Sequence, residues 1–310
     1  MEAPIATEIV PADAVGIARA AVLIRAGEPV AVPTETVYGL AADATSGAAV
    51  ARIYAAKGRP RFNPLIVHVP SLAAAKAIAR FNAHASALAE RFWPGPLTLV
   101  LPLLPNAGIA SLVTAGLPTI ALRVPAHSVM QGLLAAAGVP LAAPSANASG
   151  RISPTTAAHV AASLAGRIPL ILDGGASERG LESTIVAVEN GGVRLLRPGP
   201  ISDLGVPIVA GQAGGIEAPG QLASHYAPAK PLRLEAMTAF ADEWLIGFGA
   251  VPGDATLSAT GDLAEAAAAL FARLHEAEAA PHQRIAVALI PERGLGAAIN
   301  DRLRRAAAPR

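Results

Sequence analysis

The chain of 310 residues has no cysteine. Disulfides, thiolate metal centres and a cysteine nucleophile are thereby excluded. Aromatic residues are scarce, at 4%, which argues against a surface that binds RNA mainly by base stacking. Neither sign of charge prevails, with 24 lysines and arginines against 23 aspartates and glutamates. A formal net charge of +1 leaves no overall basic footprint, although a local basic patch stays open. The seven histidines (His68, His84, His127, His159, His225, His275 and His282) follow no metal-ligand spacing such as H-E-x-x-H. No run of about 18 apolar residues occurs, so no membrane span is expected. Glu2 and Glu8 precede any apolar stretch, unlike the basic start of a signal peptide. A cytoplasmic protein is the expectation.

The common nucleotide and nucleophile motifs are missing as well. There is no G-x-x-x-x-G-K-[ST] and no G-x-S-x-G. The stretch Gly247-Phe248-Gly249-Ala250-Val251-Pro252-Gly253 has one residue too many for a dinucleotide fingerprint. Pro252 also stands where helix amides should begin, so the stretch reads as a turn.

What is present is a packed, alanine-rich chain, 53% hydrophobic and only 15% charged, long enough for two domains. Periodicity predicts helices over 13–26, 48–56, 72–79, 83–92 and 129–137. Strands are predicted at 29–32, 65–69, 97–101, 119–124, 141–143, 170–172, 183–188 and 193–196. Helices between strands argue for an α/β domain over 1–204. Glycines and prolines crowd 205–230, which reads as a linker. A smaller α/β domain, 231–310, follows, with strands at 232–234, 244–248 and 285–290 and helices at 263–278 and 295–305.

Four polar constellations interrupt the apolar pattern. Pro33-Thr34-Glu35-Thr36-Val37-Tyr38-Gly39-Leu40 breaks a strand into hydroxyls and a carboxylate; it suits a small polar ligand or an ordinary turn. Lys57-Gly58-Arg59-Pro60-Arg61-Phe62-Asn63-Pro64 holds three cations within five residues, either for phosphates or as a solvated basic loop. Ala143-Pro144-Ser145-Ala146-Asn147-Ala148-Ser149-Gly150 has small residues whose amides could approach an anion, or it is a polar loop. The fourth comprises Asp173-Gly174-Gly175, Glu182-Ser183-Thr184 and Leu196-Arg197-Pro198-Gly199-Pro200. His68 and Arg123 sit in apolar strands, where a lone charge is costly, so each needs a structural partner or a ligand.

In this order the segments resemble the YrdC-like family of L-threonylcarbamoyladenylate synthases. Phe92-Trp93-Pro94-Gly95-Pro96-Leu97-Thr98 and Ala121-Leu122-Arg123-Val124-Pro125 complete the likeness, which covers about residues 10–202. The second domain resembles the long form, through Pro219-Gly220, His225-Tyr226-Ala227-Pro228, Leu257-Ser258, 291–296 and 300–302. Two departures stand out. Gln221 replaces the family's usual methionine, and 248–257 is short, as though a strand and a helix were missing.

The resemblance implies a twisted α/β sheet around a large cavity, plus a smaller Rossmann-like three-layer αβα domain. It implies that Thr34, His68, Arg123 and Ser183 hold L-threonine. It likewise assigns Arg59, Asn63, Thr119, Ser145, Ser153 and Arg197 to ATP. Lys57, Arg59, Ser145 and Asn147 match the family's phosphate signature and are the implied catalytic set. L-Threonine, bicarbonate and ATP would give threonylcarbamoyl-AMP and pyrophosphate, with Mg²⁺ held mainly through the ATP phosphates and no protein metal site. The product would pass to a tRNA threonylcarbamoyl transferase complex, for threonylcarbamoyladenosine modification of tRNA; direct tRNA binding stays open. Tyr226 is the candidate gate over the cavity, since a ring covers a site while its hydroxyl reaches a polar group. The rival readings are an RNA-binding module of the same fold, a carbamoyl-transfer domain, and a sensor of threonine or nucleotide.

Overall fold

Short polar side chains set most helix starts. Asp13, Ser46, Ser71, Asn82, Thr156 and Asp262 each accept a hydrogen bond from a first-turn amide that the helix itself leaves open. The computed structural model describes residues 5–189, 191–209 and 215–309. Its first elements are β1 (Glu8–Pro11), α1 (Ala14–Arg25), β2 (Val30–Val32), β3 (Gly39–Asp43), α2 (Gly47–Lys57), β4 (Ile66–His68), α3 (Leu72–Lys76) and α4 (Ala83–Phe92). There follow β5 (Leu97–Pro102), α5 (Ser111–Thr114), β6 (Thr119–Arg123), α6 (Ser128–Ala137), β7 (Leu141–Ala142), α7 (Ala157–Leu164), β8 (Leu170–Asp173), β9 (Thr184–Glu189) and β10 (Gly192–Arg197). The last are β11 (Leu232–Arg233), β12 (Glu243–Gly247), β13 (Ala255–Thr256), α8 (Leu263–Ala279), β14 (Arg284–Val287) and α9 (Leu295–Ala307).

The first sheet has ten strands in the order β1-β8-β2-β3-β7-β4-β6-β5-β9-β10. Strand alternation divides its apolar residues between two faces: Ala31, Leu40 and Ala42 join one cluster, Val30, Val32 and Ala41 the other. Parallel pairing of β4 with β6 sets His68 directly beside Arg123. The ends of β2, β4, β6, β7 and β10 and the start of β9 converge on one cavity. Residues 204–209 stay with this domain, because Leu204 lies in its core and Val193 exchanges backbone hydrogen bonds with Pro207 and Val209. Residues 210–214 of the expected linker lie outside the described residues.

The second sheet, β11-β14-β12-β13, is parallel throughout. Ile246, Ile285 and Val287 pack with Leu270 and Phe271 of α8 and Ile299 and Leu303 of α9, so both helices cover one face. The other face holds the small cluster Leu245, Ala286 and Ala236, with Val251 beside it; among the described residues a loop, not a helix, covers it. The expected third layer is thus reduced to loop, in line with the short 248–257 stretch. The two domains share a core, since Val37, Ile152 and Leu181 of the first pack into the helical cluster of the second. Gly180 permits the approach: a side chain there would meet the Ala268 carbonyl at 2.4 Å, and its φ of +66° suits glycine.

Candidate active site

The loop after β2 is folded by its own hydroxyl. Thr34 Oγ1 donates to the Val37 carbonyl at 2.6 Å and accepts from the amides of Thr36 and Val37. This turn brings Thr34 and Thr36 into the cavity wall. Arg123, entering at the end of β6, donates to Thr36 Oγ1 at 2.9 Å and to the Gly95 carbonyl at 3.1 Å. It also forms a buried ion pair with Glu35 Oε1 at 2.6 Å. His68 beside it is buried with Nδ1 unpartnered. Burial, then the Arg123 charge, brings its pKa down to about 3, so the imidazole is neutral at physiological pH.

Across the cavity stand Arg59 and Arg197. Arg59 donates to the carbonyls of Asn63 and Pro64. Arg197 donates to the Ser183 carbonyl and hydroxyl, both at 3.1 Å, and Ser183 Oγ shares a 2.7 Å hydrogen bond with Thr98. Both guanidiniums are more than nine-tenths buried. Among the described residues neither has a carboxylate within ion-pair distance. Burial lowers the pKa of Arg59 to about 10, and it remains charged at neutral pH. Glu182 compensates Arg197 in part, at longer range, whereas Arg59 has no such carboxylate among the described residues; burying such a cation is unfavourable unless an anion arrives to meet it.

Thr34, His68, Arg123, Ser183, Arg59, Ser145, Arg197 and Tyr226 therefore line one cavity. The remaining candidates stand elsewhere. Lys57 lies outside the cavity lining, at the end of α2, where its buried ammonium donates to the carbonyls of Ser145, at 2.5 Å, and Asn147. Burial, and then Arg59, hold its pKa well below the ordinary lysine value. In the 143–150 loop several backbone amides are held within the protein. Ala146 donates to Tyr38, Asn147 to Ser145, and Ala148 to Ser163. Asn147 uses its side-chain amide on the carbonyls of Ala148 and Arg151. Asn63 is buried outside the lining, with both side-chain atoms unpartnered. Thr119 shares the sheet face of Arg123 but lies four residues away, roughly 13 Å along the strand, opposite Pro102. Ser153 donates its hydroxyl to Glu182 at 2.5 Å and so is spent inside the wall.

Two carboxylates escape the sequence reading. Glu35 is the counter-ion of Arg123, and Glu182 of Arg302, whose Nε donates to it at 2.8 Å from helix α9. Burial raises both carboxyls, but their arginines and further hydrogen-bond donors outweigh it and hold them below the ordinary 4.5. A lowered folded-state pKa contributes stability above the unfolded value that is lost as pH falls through the folded one. The melting temperature should therefore be steady above the carboxylate range and drop below about pH 4.5. A melting series on wild type and Glu35→Gln checks this: the variant should be less stable at neutral pH, with a shallower acid loss.

The interdomain segment closes the cavity. Pro219, Gly220, His225 and Tyr226 line it. The Tyr226 hydroxyl lies buried beside Arg197 in no hydrogen bond of good geometry, and His225 Nδ1 is likewise unpartnered. A Cβ at Gly220 would meet that hydroxyl at 2.7 Å and Arg197 Cδ at 2.9 Å, so only glycine passes there. Fold and cavity define a two-domain α/β protein with a buried-arginine site at the domain junction, next to a small polar pocket.

The Sua5_yciO_yrdC family model, described as telomere recombination, matches residues 22–199, and the model of the threonylcarbamoyl-AMP synthase C-terminal domain matches 201–308. The chain belongs to the Sua5/YciO/YrdC family, in its two-domain form. It is 39% identical to the threonylcarbamoyl-AMP synthase of Pyrococcus abyssi, over 93% of this chain and 92% of that protein. It is 46% identical to the Bacillus subtilis enzyme of the same name, over 70% of this chain and 66% of that protein. The crystal structure of P. abyssi Sua5 complexed with L-threonine superposes with a TM-score of 0.86 and 36% identity, covering 98% of this chain and 97% of that one. E. coli YciO shares the fold of the first domain, with a TM-score of 0.55, 20% identity, and coverage of 64% of this chain and 96% of its own.

Proposed function

We infer that the chain is a threonylcarbamoyl-AMP synthase, and the observation that carries the chemistry is the pair of buried guanidiniums, Arg59 and Arg197, neither in a direct ion pair, facing a cavity shared with the Thr34–His68–Arg123 pocket. L-Threonine occupies that pocket, its carboxylate toward Arg123 and its methyl against Ile66 and Ala143. The amine condenses with bicarbonate to N-carboxythreonine and water. An oxygen of the new carboxylate attacks the α-phosphorus of ATP, the bond to the β-phosphate breaks, and pyrophosphate leaves. Arg59 and Arg197 neutralise the charge that develops, so positioning and electrostatics suffice without a protein nucleophile.

Among the described residues no cluster of three or more His, Asp or Glu is placed for a metal, and Glu35 and Glu182 are committed to arginines. These residues fit a Mg²⁺ carried on the ATP phosphates, where it adds charge neutralisation. The mixed anhydride is prone to hydrolysis, and the interdomain segment over the cavity excludes water. No helix among the described residues is long and apolar enough to cross a membrane. The reaction draws on cytoplasmic ATP, and we place the enzyme there, handing its product to a tRNA threonylcarbamoyl transferase complex. The site cations are enclosed, unlike the open basic surface that an RNA-binding module needs.

Pyrophosphate release measured with each substrate omitted in turn tests the reading. Release should require L-threonine and bicarbonate together. Serine should be moderately poorer, because a lost methyl is worth roughly 1 kcal/mol. Equal release without an amino acid would contradict the assignment.

A further inference from the structure

Helix α9 of the second domain reaches the cavity wall of the first. Arg302 in this helix is fully buried, at 0% exposure. Its guanidinium reaches the first domain: Nε donates to Glu182 Oε2 at 2.8 Å, and its Cζ lies 5.2 Å from the centre of the Tyr226 ring. Nη1 is held by Asp301 at 2.8 Å, and Asp301 in turn accepts from Arg305 Nε at 3.0 Å. Arg305 pins the interdomain segment on the near side of Tyr226, with Nη1 donating to the Leu222 carbonyl at 2.7 Å and its own carbonyl accepting from the His225 amide. On the far side the Ala227 amide donates to Gly150. Between these anchors Tyr226 holds a φ of +61°, a left-handed conformation that a bulky side chain adopts only when its surroundings enforce it.

We propose that helix α9 completes the active site, with Arg302 a positioning residue that neutralises Glu182 in the cavity wall and braces Tyr226, while Arg305 clamps the segment over the substrates. The proposal rests on the ATP-using reading of this cavity and gives the second domain a direct part in it. Glu182 lines the cavity. The charged and titratable groups that face it are Arg302 from α9, Arg197 from β10, and His225 and Tyr226 from the interdomain segment, with Ser153 donating a hydrogen bond. Without Arg302, an ionised Glu182 would stand exposed to the triphosphate and repel it. Burial would then dominate the carboxyl and raise its pKa, so the repulsion would depend on pH.

The test uses the full chain and measures ATP affinity directly, by calorimetry, so that it does not depend on turnover. Arg302→Met should weaken ATP binding at least roughly tenfold near pH 8 and less near pH 6, where Glu182 takes up a proton. Adding Glu182→Gln should remove this pH response and restore most of the affinity. Arg302→Lys should fall between wild type and Arg302→Met. Arg305→Ala, at a partly exposed position, should speed proteolytic cutting of the 215–228 segment in the ATP complex. Where Arg302→Met does not fold, Arg302→Lys with and without Glu182→Gln gives the same comparison. Wild-type affinity and pH response in a folded Arg302 variant, unmoved by Glu182→Gln, would overturn the proposal. A wild-type chain that binds ATP but makes no adenylate would overturn the functional reading instead and leave the affinity comparison to decide on α9.

Discussion

Replacing Arg59 or Arg197 by methionine is expected to abolish most adenylate synthesis while leaving the protein folded. Each guanidinium is buried without a direct carboxylate partner, so its charge is costly in the free protein and useful in the complex. Methionine keeps most of the volume and removes the desolvation cost. The carbonyls of Asn63 and Pro64, or the groups of Ser183, lose a donor, which works in the opposite direction. These effects offset one another, and the melting temperature should change little. A charge-assisted contact to phosphate is worth about 1.5–3 kcal/mol, so each variant should lose roughly one to two orders of magnitude in rate. ATP should raise the melting temperature of wild type and have much less effect on either variant. Lys57→Met should behave differently. Its ammonium supports the 143–150 loop, so the loss should appear in stability as well as rate. Unfolding of both arginine variants with Lys57→Met unaffected would reverse the assignment of roles.

The second large effect is expected at Tyr226. Tyr226→Ala removes a fully buried ring that packs on Phe271 at 5.7 Å and stands edge-on to His225 at 4.1 Å. The interdomain segment should loosen, so that adenylate forms slowly and then hydrolyses quickly. Tyr226→Phe separates the ring from the hydroxyl. The hydroxyl has no good hydrogen bond in the free protein, and an unsatisfied buried polar group costs about 1–3 kcal/mol. Phenylalanine should therefore be at least as stable as tyrosine, and any loss of rate reports a contact made only with substrate. Single-turnover formation and decay of the adenylate measure both variants. Unchanged formation and unchanged lifetime in Tyr226→Ala would leave the segment as a tether. A chain ending after Val209 is the matching truncation. Ending near residue 202 would strip Leu204 from the core and Pro207 and Val209 from their hydrogen bonds to Val193.

Several of the residues that line the cavity were legible, because they break an apolar pattern at a strand end. His68 and Arg123 stood out in this way, and their parallel register brings them side by side. What stayed hidden was the set of counter-ions. Glu35 lies 88 positions from Arg123, and Glu182 lies 120 from Arg302. No local pattern announces such pairing, so Ser153 read as a free ligand and Glu182 had no role. The contacts of Lys57, at the end of α2, were hidden for a related reason: the carbonyls it donates to belong to a segment about 90 positions away. Among the elements, β3 was missed because Gly-Leu-Ala-Ala-Asp has little intrinsic strand preference. Burial between β2 and β7 makes it a strand. Helix α7 escaped because Ala157-Ala158-His159-Val160 follows a polar loop with a weak apolar repeat; its cap, Thr156, was the available signal.

This cavity is expected to join L-threonine, bicarbonate and the AMP part of ATP into one molecule. The most direct measurement incubates the purified chain with ATP, Mg²⁺, L-threonine and carbon-labelled bicarbonate, followed by rapid mass detection. The expected product is threonylcarbamoyl-AMP carrying the label, formed with an equal amount of pyrophosphate and lost when either co-substrate is withheld. Labelled carbon that never enters an adenylate, while ATP is still cleaved, would contradict it.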